Sequence, residues 1–94
     1  ASFFRKGSVE QIDLKEFIEG IVGGMKNIFK DRSLYLRTEG PSVRVNTYPE
    51  KLHIILKNLL TNAYKYTESG GITIKWGGSE LTAGEGIYIT VEDT

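Results

Sequence analysis

The sequence predicts an α+β fold, a two-layer sandwich in which a mixed sheet carries helices on one face. Three observations predict it. Apolar residues recur at three- and four-residue spacing in two stretches, residues 14–29 and 49–66. Short alternating runs flank both stretches, at residues 9–12, 33–39, 43–47, 72–76 and 87–93. Glycine and proline punctuate the joints between them. The resulting order is strand, helix, two strands, helix, two strands, which a mixed sheet covered on one side accommodates.

Residues 1–7 (ASFFRKG) read as the tail of a preceding helix ended by Gly7, and Phe3 and Phe4 have no obvious local partner. Residues 9–12 form a short strand. Asp13 and Glu16 have the spacing of a capping box, and Ile12 is placed to staple onto Phe17. The first helix then follows, with Leu14, Phe17, Ile18, Ile21, Val22, Met25, Ile28 and Phe29 on its apolar face. Gly23 and Gly24 inside it cost about 1 kcal/mol each relative to alanine, so a bend or a close approach is expected there.

Gly40-Pro41 separates the next two strands. Thr47 and Glu50 repeat the capping spacing, and Pro49 suits the first turn of a second helix. Ser69-Gly70-Gly71 ends that helix. Ile72, Ile74 and Trp76 then define a strand with one apolar face, residues 77–86 a polar turn, and residues 87–93 the returning strand. Alternation places Ile87, Ile89, Val91 and Asp93 on one face, so Asp93 is expected on the buried side at a strand end.

The second helix carries the chemistry. Leu52, Leu56, Leu59, Leu60 and Ala63 are expected to face a core. Asn58, Asn62 and Lys65 fall beside them within an arc of about 60°. Two amides and an ammonium on one stripe suit a metal–phosphate group: amide oxygens can ligate Mg²⁺, and an ammonium can pair with phosphate oxygens.

Composition sets limits. The 94 residues allow one small domain with a modest core. Twelve basic and twelve acidic residues balance, which gives no electrostatic case for nucleic acid or an anionic membrane surface. Without cysteine there are no disulfides or thiolate metal sites. No P-loop and no Rossmann glycine fingerprint is present, and the tyrosines scatter without the stacking pattern of an RNA-binding sheet.

The run Asn58-Leu59-Leu60-Thr61-Asn62-Ala63-Tyr64-Lys65-Tyr66-Thr67 closely resembles the N box of sensor histidine kinases. Their ATP-binding module belongs to the Bergerat-fold ATPase superfamily that also contains gyrase and MutL. Glu92-Asp93-Thr94 resembles the start of that family's D-x-G-x-G box. The resemblance implies that residues 8–94 are the N-terminal part of a histidine-kinase ATP-binding domain, with residues 1–7 the end of a dimerisation helix or a linker. It implies Asn62 as a Mg²⁺ ligand, Asn58 as a support for that ion or its water, Lys65 on phosphate oxygens, Tyr66 near the ribose or base, and Asp93 on the adenine amino group.

Position 58 bears on the reaction. Hydrolytic relatives carry glutamate there as a general base, whereas Asn58 cannot accept a proton at neutral pH. The implied activity of the parent is therefore transfer of the ATP γ-phosphoryl to a histidine, and then to the receiver domain of a response regulator. The acceptor would lie on the parent's own dimerisation domain, so the implied parent is a homodimer. The module is expected in the cytoplasm, whether or not the parent is anchored in the inner membrane. His53, followed by Ile54, Ile55 and Leu56, lacks the acceptor context and reads as an ordinary surface or edge residue. The family's later glycine-rich box and phosphate lid are missing, so this stretch alone is expected not to autophosphorylate. Two alternatives stay open: an anti-sigma-factor-type protein-serine kinase, and a degenerate nucleotide-binding or interaction module.

Overall fold

Asp13 turns the first strand into the first helix. Its carboxylate accepts a hydrogen bond from the Glu16 backbone N–H at 3.1 Å, satisfying one of the helix's free donors. The other carboxylate oxygen accepts from the Ser42 hydroxyl at 2.6 Å. These bonds, Ser42 first, hold the Asp13 carboxyl below its ordinary range. In this computed structural model, which describes residues 8–77 and 88–93, β1 (Glu10–Asp13) runs directly into α1 (Leu14–Gly23). Ile12 and Phe17, the expected staple, are both half-buried against the core and line one surface depression.

The first helix is not continuous. Gly24 and Met25 leave the α-helical ladder through bonds to the Ile21 and Val22 carbonyls, and a second helix, α2 (Lys26–Asp31), starts afresh. Weak helix propensity at consecutive glycines accounts for the break. The restart also shifts the helical phase: Phe29 is fully buried, while Ile28, expected in the core, is 44% exposed. A Schellman arrangement ends α2, with Ser33 N–H bonding Lys30 carbonyl and Leu34 N–H bonding Phe29 carbonyl at 2.8 and 2.9 Å. Ser33 takes the left-handed position of that motif, at φ 59°.

Five further elements are described: β2 (Tyr35–Glu39), β3 (Arg44–Thr47), α3 (Pro49–Tyr66), β4 (Gly71–Gly77) and, last, β5 (Tyr88–Asp93). The mixed sheet is present as the three-stranded order β2-β4-β5, parallel between β2 and β4 and antiparallel between β4 and β5. It does not take in every strand, because β1 and β3 pair antiparallel in a ladder of their own. The expected cap of α3 is also displaced. Thr47 stays in β3 opposite Glu10, and Tyr48 becomes the N-cap without a side-chain bond. Pro49 opens the helix as expected, its fixed φ suiting that position.

One face of the mixed sheet meets the helices. Leu36, Ile72, Ile74 and Trp76 are buried there with Leu14, Ile18, Val22 and Phe29 of the first two helices and Leu56 and Leu60 of α3. The opposite face is polar: Lys75 pairs with Glu92 at 3.2 Å and Glu39 at 3.8 Å, and the Arg37 guanidinium lies 4.1 Å from the Tyr35 ring centre. The β2–β3 connection wraps the indole, whose Nε1–H donates to the Pro41 carbonyl at 2.8 Å. Among the described residues, no helix is long and apolar enough to cross a membrane. The expected helix exit at residues 1–7, the turn beyond Gly77, Ile87 and Thr94 lie outside the described residues.

Candidate functional site

Leu56 and Leu60 set the roll of α3. Both are fully buried, and the stripe bearing Asn58, Asn62 and Lys65 lies well round the helix from them, so all three polar residues are exposed. Leu59, expected in the core, is 37% exposed. At 100° per residue it stands between the buried arc and the polar stripe, where it lines a cavity instead.

After α3 the chain reverses in a few residues. The Thr67 N–H closes the last helical turn on the Ala63 carbonyl at 3.0 Å, and Thr67 itself is buried. Gly70 then takes φ 81°, a left-handed conformation that glycine adopts freely. The Gly70 carbonyl accepts from Tyr35 N–H at 3.1 Å, which starts the parallel pairing of β4 with β2. A Cβ at Gly71 would come within 2.4 Å of the Tyr35 ring, so glycine also permits that close approach. This reversal sets α3 beside β4 and β5.

The space between them is an open cavity of about 260 Å³. Leu59, Ala63, Ile72 and Val91 supply apolar walls, and Asn62, Tyr66, Thr67 and Asp93 supply polar groups. Register fixes the far wall, because Asp93 pairs with Ile72 across the antiparallel ladder. Asp93 follows the inward alternation of half-buried Ile89 and Val91 but lies past the edge of the core. It is therefore exposed at the cavity, not buried as expected.

Three of the five candidate residues, Asn62, Tyr66 and Asp93, thus line one cavity. Asn58 and Lys65 stand on α3 one turn before and almost one turn after Asn62, outside that lining. His53 is half-buried and points from α3 in roughly the opposite direction to Asn62. Apolar walls with a few converging polar groups suit a flat ring with a hydrogen-bonding edge. Among the described residues no cluster of His, Cys, Asp and Glu could hold a metal. The Asn62 amide oxygen suits a Mg²⁺ ion that takes its remaining ligands from phosphates and water.

One participant carries no local sequence signal. Arg32, at the C-cap of α2, donates to the Tyr64 carbonyl and, at 3.0 Å, to the Thr67 carbonyl. Its guanidinium also lies 4.7 Å from the Tyr64 ring centre, and that ring meets Phe29 edge-on at 5.4 Å. A cation at the negative end of α3 is favourable. Its partners lie 32 and 35 residues away, so no short-range spacing could have revealed it.

No protein-family model matches the chain, and no curated protein matches it in sequence. Solved structures do match in fold. The catalytic domain of histidine kinase ThkA, in a nucleotide-free form, superposes with a TM-score of 0.70 at 22% identity, over 74% of this chain and 51% of that one. The cytoplasmic segment of histidine kinase QseC matches with a TM-score of 0.62 at 19% identity, over 78% and 49%. ThkA in complex with the response regulator protein TrrA matches with a TM-score of 0.69 at 20% identity, over 76% and 22%. The chain has the α+β fold of histidine-kinase catalytic domains and spans about half the length of the ThkA domain.

Proposed function

We propose that the chain is part of the ATP-binding catalytic domain of a histidine kinase and that its cavity takes the base of Mg–ATP. One observation carries the reading: Asn62 and Tyr66 from one sequence motif and Asp93 from another line the same cavity. The fold likeness to kinase catalytic domains supports it.

In this reading Ile72, Val91 and Leu59 contact the faces of the adenine and exclude water from it. The Asp93 carboxylate accepts from the exocyclic amino group, a donor that guanine lacks at that position. Tyr66, largely exposed, covers the ribose or the base edge. Asn62 turns its amide oxygen toward the phosphates, where it would ligate Mg²⁺, supported by Asn58 one turn earlier. Lys65 reaches the phosphate oxygens from the next turn. The bound ion supplies neutralisation of phosphate charge, the main requirement of phosphoryl transfer. Asn58 cannot deprotonate water, so the γ-phosphoryl is kept for a histidine on the parent's dimerisation domain. A response regulator then receives it, as the ThkA–TrrA complex suggests by analogy. A homodimeric parent with this domain in the cytoplasm completes the proposal.

The test is a calorimetric titration of Mg–ATP into the full-length protein and its Asn62→Ala variant. Saturable binding that the substitution abolishes is expected. Absence of binding by the folded, unsubstituted protein overturns the reading.

A further inference from the structure

We propose that Arg32 is a positioning residue for the nucleotide site: by gripping the end of α3 from behind, it sets where Asn62 and Tyr66 stand relative to Asp93. The inference rests on the nucleotide-site reading above.

Two features carry it. First, the grip is bidentate and local to the site. The Arg32 guanidinium donates to the carbonyls of Tyr64 and Thr67 and lies over the Tyr64 ring. Those carbonyls bracket the turn that bears Tyr66, and Thr67 itself lines the cavity. Tyr64 is about 160° round the helix from both Asn62 and Tyr66. The Arg32 guanidinium therefore stacks on α3 from the side away from Asn62 and Tyr66 and grips the Thr67 backbone rather than its side chain, so it acts by holding the helix.

Second, the residue that grips is itself held. Arg32 is the C-cap of α2, and the paired bonds from Ser33 and Leu34 to Lys30 and Phe29 fix its backbone. Ser33 adopts φ 59°, a conformation that costs a residue with a Cβ. Phe29 and Leu34, either side of this turn, are both buried. The guanidinium is thus projected from a rigid base onto the C-terminal turn of α3. A planar fork that spans two carbonyls has no equivalent in lysine, which presents a single point charge.

The cavity's opposite walls come from different elements, α3 on one side and β4 with β5 on the other. A small displacement of α3's last turn would change the separation of Asn62 and Tyr66 from Asp93. Groups that orient metal-ligating side chains typically alter metal affinity or activity by about 10- to 100-fold when lost, and an effect at the lower end of that range is expected here.

The experiment measures Mg–ATP and Mg–ADP affinities of the full-length protein and its Arg32→Ala, Arg32→Lys and Asn62→Ala variants. All are measured well below their unfolding temperatures, so that every sample is folded. Arg32→Ala is expected to weaken both nucleotides by the same factor, about tenfold, since the base, ribose and Mg²⁺ that Tyr66, Asp93 and Asn62 would hold are common to both. Arg32→Lys is expected to restore thermal stability more fully than affinity. Wild-type affinity in folded Arg32→Ala, with binding abolished by Asn62→Ala, overturns the role of Arg32 and leaves the site reading standing. Affinity fully restored by Arg32→Lys overturns the bidentate grip. If the unsubstituted protein binds neither nucleotide, or Asn62→Ala binds normally, the site reading falls and this inference falls with it.

Discussion

Gly40 lies flat against the indole of Trp76, so close that a Cβ at that position would sit 2.4 Å from two ring carbons. The ring is 3% exposed and tethered through its N–H to the Pro41 carbonyl. The buried indole has little room to give, so the half-buried Gly40 backbone would have to move. Gly40→Ala should therefore destabilise the fold by about 1–3 kcal/mol, the usual cost of overpacking. Trp76 is the sole tryptophan, so its emission reports the site directly. An unfolding midpoint and emission maximum unchanged by the substitution would show that the contact is slack.

Asp13 couples stability to acid. Its folded carboxyl titrates below the ordinary value of 3.8 because Ser42 and the Glu16 N–H bind the charged form. The contribution is present above that ordinary value and is lost as pH falls through the lowered one. Asp13→Ala should lower the melting temperature by a few degrees at neutral pH, and the gap to wild type should close under strong acid. A constant gap across the acid range in thermal melts followed by circular dichroism would contradict this.

Leu60 is fully buried and holds the polar stripe of α3 outward. Leu60→Ala should cost about 2–5 kcal/mol through lost transfer energy and the cavity left behind. Urea denaturation measures it directly, and a loss below about 1 kcal/mol would mean that the surroundings collapse to fill the space.

Ser33 sits in the left-handed region without being glycine. Ser33→Gly should stabilise the end of α2 by up to about 1 kcal/mol, because the steric cost of the Cβ disappears. A clear destabilisation in denaturant titration would instead point to a bond made by the hydroxyl.

The candidate site makes a ranking prediction. Asn62 and Asp93 line the cavity, whereas Asn58 and Lys65 do not. Asp93→Asn should lower ATP affinity by about 10- to 100-fold, the loss of a hydrogen bond to a charged acceptor. Asn58→Ala should weaken binding less than Asn62→Ala. Lys65→Ala should reduce affinity for ATP more than for adenosine, and the difference should shrink as salt rises. Equal effects on ATP and adenosine would remove Lys65 from the phosphate end.

Sequence reasoning reached furthest where local chemistry decides the outcome. Pro49 and the leucine spacing located α3, the Asp13–Glu16 spacing located the start of α1, and Ile72, Ile74 and Trp76 identified the buried face of β4. Errors fell where tertiary packing chose between local options. Thr47 was drawn into a ladder with Glu10 instead of capping a helix. Ile28 was turned outward by a helix restart that two glycines made cheap. Leu59 and Asp93 occupy arcs and strand ends where the core stops, and periodicity says which way a residue faces but not where burial ends. Arg32 lay beyond such reasoning altogether, since its partners are distant in the chain.

Asp93 rides on β5, which among the described residues has a hydrogen-bonded neighbour on one side only. Edge strands open at lower free energy than central ones, and their amides exchange with solvent sooner. A ligand held between α3 and β5 would act as a splint across that opening. Amide exchange along residues 88–93 should therefore slow on nucleotide addition, while exchange in the central strand β4 changes little. Measured by mass spectrometry, such protection would convert the position of one carboxylate into a statement about how often the site exists in its closed form.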